Sequence, residues 1–245
     1  ILVYTEAHTL QDRLICKVIT MTKRKESIDA FQSLQDSSYS LKNNFRPEIF
    51  EATIAENVED QMKERNLKWN YPWEGTATDL KSGLKKSAYP TQNRLNRIAC
   101  AVSHYRLWSQ CLDLNEPMLI MEHDAIFVQR LRYETILDDS HYNIIGINNP
   151  IGNTRRAMDF DRILQDSSGN IVPVPTIDTF DVPQGLAGNS AYIIKPAGAK
   201  ACINAAKEYG LWPNDALMCK QLIPRMGVTK SYYTNTQRIK STTTL

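Results

Sequence analysis

Short apolar runs alternate with stretches of helical periodicity along most of the chain, the pattern of an α/β sheet. Residues 14–21 (LICKVITM) predict an early strand, followed by the polar stretch 22–26 and a helix through Leu34. Residues 46–52 predict a second strand. Residues 55–68 predict a helix whose early acids complement the helix dipole. Between 71 and 89, Pro72, Gly75, Gly83 and scattered Ser and Thr predict a long connection. Residues 91–114 predict a helix that is apolar on two sides. Leu95, Ile98, Ala99, Val102 and Tyr105 form one face. Arg97, Ala101, His104, Trp108 and Cys111 form the other. Arg97 and His104 then lie two turns apart in one partly buried stripe, where a charge needs a partner.

Residues 118–121 (MLIM) are apolar without alternation, as expected of a central parallel strand buried on both faces. Glu122, His123 and Asp124 follow at once. Beyond them the pattern predicts a helix over 130–137, a strand over 142–147, a polar loop over 150–169 and an extended segment over 171–183. A turn at 185–189 (GLAGN) precedes a strand over 191–194. Pro196 opens a helix running to about residue 209, since proline is tolerated in a first helical turn. A last helix is predicted over 212–222.

Composition narrows the class. The chain has 245 residues, with 42% hydrophobic and 23% charged, ordinary values for a folded globular protein. One domain over 1–245 is expected, with a basic C-terminal segment from about 216. No apolar run approaches the roughly 18 residues of a membrane span. Glu6, Asp12 and Arg13 interrupt the signal-peptide pattern, and a cytoplasmic location is expected. The five cysteines are odd in number and lack CxxC spacing, which predicts reduced, mostly buried thiols and no zinc site of paired cysteines. The net charge is only +2, but two stretches are basic without any acid. One carries Lys81, Lys85, Lys86, Arg94 and Arg97; the other carries Lys220, Arg225, Lys230, Arg238 and Lys240. They read either as solvated faces or as surfaces that handle phosphate.

Glu122-His123-Asp124 is the most informative feature. Ligands of parallel α/β sheets bind beyond the carboxyl ends of strands. Two carboxylates there, flanking one residue, can both reach a divalent cation. An ordinary polar strand end is the alternative.

The triplet has a context. Residues 100–108 (CAVSHYRLW) followed by MLIMEHDAIF resemble glycosyltransferase family 25. There a Cys…Ser-His helix precedes an apolar strand ending in Glu-Asp-Asp-Ala. Residues 17–24 (KVITMTKR) resemble the family's first strand and its basic continuation. Residues 188–194 (GNSAYII) with Gly198-Ala199, and Pro213-Asn214-Asp215, resemble later family motifs in the same order, so the likeness extends from about 16 to 236. His123 stands where the family has its middle acid, which removes one negative charge and opens the question of metal preference.

The resemblance implies a GT-A-like nucleotide-binding fold, α/β with a mostly parallel central sheet flanked by helices. It implies transfer of a sugar, often galactose, from a nucleoside-diphosphate sugar such as a UDP-sugar to an acceptor hydroxyl, usually with inversion. Glu122 and Asp124 would hold Mn²⁺ or Mg²⁺. Thr20, Arg24, Arg97, Ser103, His104 and Glu122 would contribute to the donor site, with surface or helix-packing charge as the alternative for Arg24 and Arg97. Asp215 would be the base that deprotonates the acceptor, or simply a first-turn acid; Asp181 is the reserve candidate. His123 is expected to point away from the metal, and Tyr192 to pack in the core. An acceptor saccharide is expected, and the basic stretches also admit a nucleic acid. A non-catalytic nucleotide-sugar or glycan-binding module and a metal-dependent nucleotidyl- or phosphotransferase are the competing functions. The absence of a GxxxxGK loop argues against a P-loop version of the latter.

Overall fold

The computed structural model describes residues 14–154 and 156–239, apart from the side chain of residue 139. The N-terminal charges and Lys240 weighed above lie outside the described residues. The chain opens with β1 (Ile15–Thr20), α1 (Lys25–Ser40), β2 (Pro47–Glu51) and α2 (Val58–Glu64). A hairpin of β3 (Thr76–Thr78) and β4 (Lys85–Ser87) precedes the long α3 (Arg94–Leu114). Then come β5 (Met118–Glu122), β6 (Ala125–Phe127), α4 (Tyr133–Asp139), β7 (Ile144–Gly146), α5 (Ala157–Asp166) and β8 (Ile171–Pro173). The last third supplies β9 (Ala191–Ile194), α6 (Pro196–Tyr209), α7 (Asn214–Leu217), β10 (Met226–Thr229) and β11 (Thr234–Thr236).

Seven strands form the central sheet in the order β2-β1-β5-β9-β7-β10-β8. The pairings make β2, β1, β5, β7 and β10 co-directional, with β9 and β8 opposed. The expected α/β architecture with a mostly parallel sheet and flanking helices is therefore present. Met118, Leu119, Ile120 and Met121 are each fully buried. Alternation sends Met118 and Ile120 into one core, with α3 and α6, and Leu119 and Met121 into the other, with α1 and α4. Burying such a side chain is worth about 1.5–3 kcal/mol, so the four anchor the sheet's centre firmly.

This topology makes a crevice. From β1 the chain crosses by α1 to β2 on one side, then returns through α3 to β5 on the other. The two crossovers lie on opposite faces, so β1 and β5 part at their carboxyl ends, the usual ligand position. Ile19 pairs with Glu122 in register at that point. The start of α3 is fixed by Asn93, whose side chain accepts from the amides of Leu95 (2.9 Å) and Asn96 (3.3 Å). Its end is fixed by Asn115 in the left-handed conformation (φ 53°).

Several expectations change. The predicted loop over 150–169 contains α5, which buries Ala157, Phe160 and Leu164 at helical spacing between polar flanks. The predicted helix over 212–222 stops at Leu217, because Cys219 bridges Gly185 and the Lys220 amide donates to the Gln184 carbonyl. The connection over 71–89 contains the β3–β4 hairpin. The C-terminal basic segment supplies β10 within the sheet and β11 against β6.

Candidate active site

One cavity lies at the carboxyl end of β5 and a second beside Asp215. The first, about 230 Å³, lies beyond the ends of β1, β2 and β5. Ile19, Arg24, Thr53, Asn96, Cys100, Ser103, Glu122 and His123 are among its walls. The second, about 660 Å³, lies between the 71–90 connection and the GLAGN turn, and Tyr89, Asp178, Gln184, Gly188 and Asp215 line it.

Glu122 faces the first cavity and is held from behind. Its Oε1 lies 3.0 Å from His104 Nε2. His104 Nδ1 lies 2.8 Å from the Tyr192 hydroxyl, which also accepts from Trp108 Nε1 at 2.9 Å. One assignment of protons satisfies every member. The Trp108 indole donates to the Tyr192 oxygen, the Tyr192 hydroxyl donates to Nδ1, and Nε2–H donates to Glu122. His104, Tyr192 and Trp108 are fully buried, whereas the Glu122 side chain keeps 29% exposure. Burial pushes the Glu122 carboxyl upward, but the His104 hydrogen bond and nearby positive charge, Arg97 included, outweigh it and hold the group below its ordinary value.

Asp124 is different. Its Oδ1 is buried and has no hydrogen-bond partner among the described residues. Burial first, then the negative charge of Glu122, pushes its carboxyl up to about 7. Its carbonyl accepts from the Gln237 amide at 2.5 Å, and the Gln237 side chain donates to the carbonyls of His123 (3.2 Å) and Ala125 (3.0 Å). The tail after β11 thus pins the acidic turn. A carboxylate starved of partners beside a second carboxylate is a donor set that fits a hard divalent cation. Asn189 Oδ1 and Ser190 Oγ, just before β9, are likewise buried without partners among the described residues.

Asp215 lines the second cavity, near enough to Glu122 to feel its charge. Burial raises its pKa, Arg97 lowers it and Glu122 raises it, for a net upward shift. The Tyr89 hydroxyl hydrogen-bonds to it. Gly185 lets the GLAGN turn close over this segment; a Cβ there would lie 2.7 Å from the Met218 carbonyl oxygen and 3.0 Å from that of Asp215. Cys100 sits amid these acids. Its thiol is 3.6 Å from Asn214 Oδ1, and burial, Glu122 and Asp215 push its pKa up.

The other predicted residues divide. Arg24 and Ser103 line the first cavity. Ser103 also accepts from the Thr53 amide and donates to the Ala99 carbonyl, both at 2.9 Å, and so fixes one wall. His123 lines the same cavity, and burial lowers its pKa. Thr20 is fully buried with its hydroxyl donating to the Val18 carbonyl (2.9 Å), so it shapes the strand end from inside rather than facing a donor. Arg97 donates to the Pro90 carbonyl (3.0 Å) and Thr91 hydroxyl (3.3 Å) and lies 5.1 Å over the Tyr89 ring, on the Asp215 side. Asp181 pairs with Lys85 at 2.7 Å, and the Lys85 hydrogen bond holds its carboxyl low, which suits an ion pair rather than a base.

Several members of the basic stretches make contacts within the fold. Lys86 is buried, donating to Asp79 Oδ1 (3.2 Å) and the Asn70 carbonyl (3.0 Å). Lys81, Lys220 and Lys230 donate to the carbonyls of Glu208, Val174 and Ser167. Sequence reasoning missed the Trp108–Tyr192–His104–Glu122 relay and the cavity residues Thr53 and Asn96. The expected thiols are present: Cys16, Cys111, Cys202 and Cys219 are buried, Cys100 half-buried, and all five free. Among the described residues no helix is long and apolar enough to cross a membrane.

Among solved structures, one similar chain is the apo WbbM bifunctional glycosyltransferase, with 10% identity and a TM-score of 0.42. The alignment covers 92% of this chain and 39% of that one, so this chain spans well under half of that protein's length. Another is an active-site mutant of LgtC, with 11% identity and a TM-score of 0.39, covering 87% of this chain and 71% of that one. No curated protein sequence matches. The sequence model described as glycosyltransferase family 25 (LPS biosynthesis protein) matches residues 14–218, over four-fifths of the chain, and the chain belongs to that family.

Proposed function

We propose that this glycosyltransferase moves a sugar, with galactose the first to test, from a UDP-sugar in the first cavity to an acceptor hydroxyl in the second, with inversion. One observation carries this reading. Glu122 lines the first cavity and Asp215 the second, and Asp215 is raised chiefly by its burial and in smaller part by the Glu122 charge. A donor and an acceptor can thus meet between a carboxylate held ionised and one made more basic.

Asp215 takes the proton from the acceptor hydroxyl as its oxygen attacks the anomeric carbon and the bond to the diphosphate breaks. Its raised pKa makes it a better base than an exposed aspartate while leaving it ionised above that pKa. Arg24 faces the departing diphosphate and offsets part of its charge. Glu122 and Asp124 would hold Mn²⁺ or Mg²⁺, which as a Lewis acid would stabilise the diphosphate charge. His104 and Tyr192 keep Glu122 in place. A saccharide acceptor is the first to test; Lys86 at least is buried against Asp79 rather than free to meet a polyanion.

A thermal-shift screen of nucleotide sugars with and without Mn²⁺ or Mg²⁺ tests the donor side. A cation-dependent rise in melting temperature with one UDP-sugar is expected. Equal shifts with and without cation would remove the metal, and no shift with any nucleotide sugar would remove the donor assignment. Loss of transfer in Asp215→Asn, with donor binding kept, tests the base.

A further inference from the structure

The geometry points to a second, softer cation site made of Cys100, His104 and Glu122, which takes a zinc-class ion and competes with the all-oxygen Glu122–Asp124 pair. Cys100 Sγ, a His104 ring nitrogen and a Glu122 carboxylate oxygen all lie within 4.8 Å of one another. Cys100 and His104 are four residues apart on α3, so one helix face presents both, and Glu122 reaches them from the end of β5. Ligands around a tetrahedral zinc stand about 3.3–3.6 Å apart, given metal–ligand bonds of about 2.0–2.3 Å. His104 and Glu122, at 3.0 Å, need open only slightly, while the Cys100 thiol draws in by no more than about 1.5 Å.

The surroundings suit this use. Cys100 lines the first cavity, which gives an ion an entry path and leaves a fourth position for water. A metal-bound His is usually held through its other ring nitrogen, and here Tyr192 stands at Nδ1. Thiolate and imidazole select borderline-soft cations, whereas two carboxylates select hard ones. On binding, the Cys100 thiol gives its proton to solvent. His104 stays neutral, its proton passing from Nε2 to Nδ1, where the Tyr192 oxygen accepts it beside the Trp108 hydrogen bond. One proton is released per cation. Because Glu122 belongs to both sites, a zinc-class ion draws it away from Asp124.

Titration of the full chain with Co²⁺, a spectroscopic substitute for zinc, tests this without any sugar or nucleotide. The expected result is a near-ultraviolet thiolate-to-cobalt charge-transfer band that Zn²⁺ displaces and excess Mg²⁺ does not. Cys100→Ser should abolish the band, and His104→Gln should weaken Co²⁺ binding at least about tenfold, as lost metal partners do. Asp124→Asn should keep it. Calorimetry of Zn²⁺ binding in two buffers of different ionisation enthalpy should report one proton released by the wild type. No band in the wild type, or a band surviving in Cys100→Ser, would overturn the site. Neither outcome bears on sugar transfer, so failure here is distinct from failure of the proposed function.

Discussion

Tyr192→Phe removes one oxygen atom and tests whether the buried relay positions Glu122. The ring is expected to stay, since it stacks on His104 with centroids 5.8 Å apart and planes 17° apart. What disappears is the acceptor of the Trp108 indole N–H and the donor to His104 Nδ1. A buried donor left unpaired costs about 1–3 kcal/mol, and the lost bond to His104 adds about 0.5–1.5 kcal/mol. Together these predict a stability loss of about 2–4 kcal/mol. For a chain of this length that lowers the melting temperature by about 5–15 °C. Urea unfolding gives the free energy directly. The functional effect is separable. Without the Tyr192 hydroxyl, His104 can place its proton on either nitrogen, and only the Nε2–H form donates to Glu122. Loss of such an outer partner typically weakens metal binding about 10–100-fold, so the Mn²⁺ concentration giving half-maximal transfer should rise by that factor. Ile144→Val, in the same core without polar contacts, controls for stability; it should cost about 0.5–1.5 kcal/mol and leave the Mn²⁺ dependence unchanged. A Tyr192→Phe variant within 0.5 kcal/mol of wild type, or one with unchanged cation dependence, would refute the relay.

Asp79→Asn should destabilise by roughly 3 kcal/mol, because Lys86 stays buried with its Asn70 contacts but no counter-charge. Burial pushes Asp79 up, yet hydrogen bonds from Ser82 and Lys86 hold it below the ordinary value, so its contribution is full above the unfolded pKa of about 3.9 and lost as pH falls through the lower folded pKa. Urea midpoints of wild type and variant should therefore converge in acid; a constant gap would contradict the ion pair. For Asp215 the sign reverses: its raised pKa makes the ionised form costly, a penalty absent below the unfolded pKa and complete above the folded one. Asp215→Asn should then equal or exceed wild-type stability at pH 7 while losing transfer, and a destabilised variant would mark Asp215 as structural instead. Gly185→Ala should lower both stability and transfer, since its Cβ meets backbone rather than a side chain that can move; wild-type values for both would show that the turn is not held against Asp215.

How much of this was legible in the sequence follows from the range of each interaction. The apolar run at 118–121, the Pro196 helix start and the strand at 191–194 are local patterns, and the fold keeps them with nearly the same bounds. The helix over 212–222 failed because partners 34 or so residues upstream, at 184 and 185, claim the backbone at 219 and 220. The same distinction divides the site. Glu122 announces itself by its place after a buried strand, but the residues that fix its charge do not: Tyr192 reaches His104 across 88 positions. It does so because β9 pairs with β5, placing Tyr192 opposite Ile120, two residues before Glu122 and on the same face as α3. The motifs around His104 and Tyr192 hinted at function individually. Only the antiparallel register joins them, and that register makes Tyr192 both a core residue, as its pattern predicts, and a support of the acid at the mouth of the sheet.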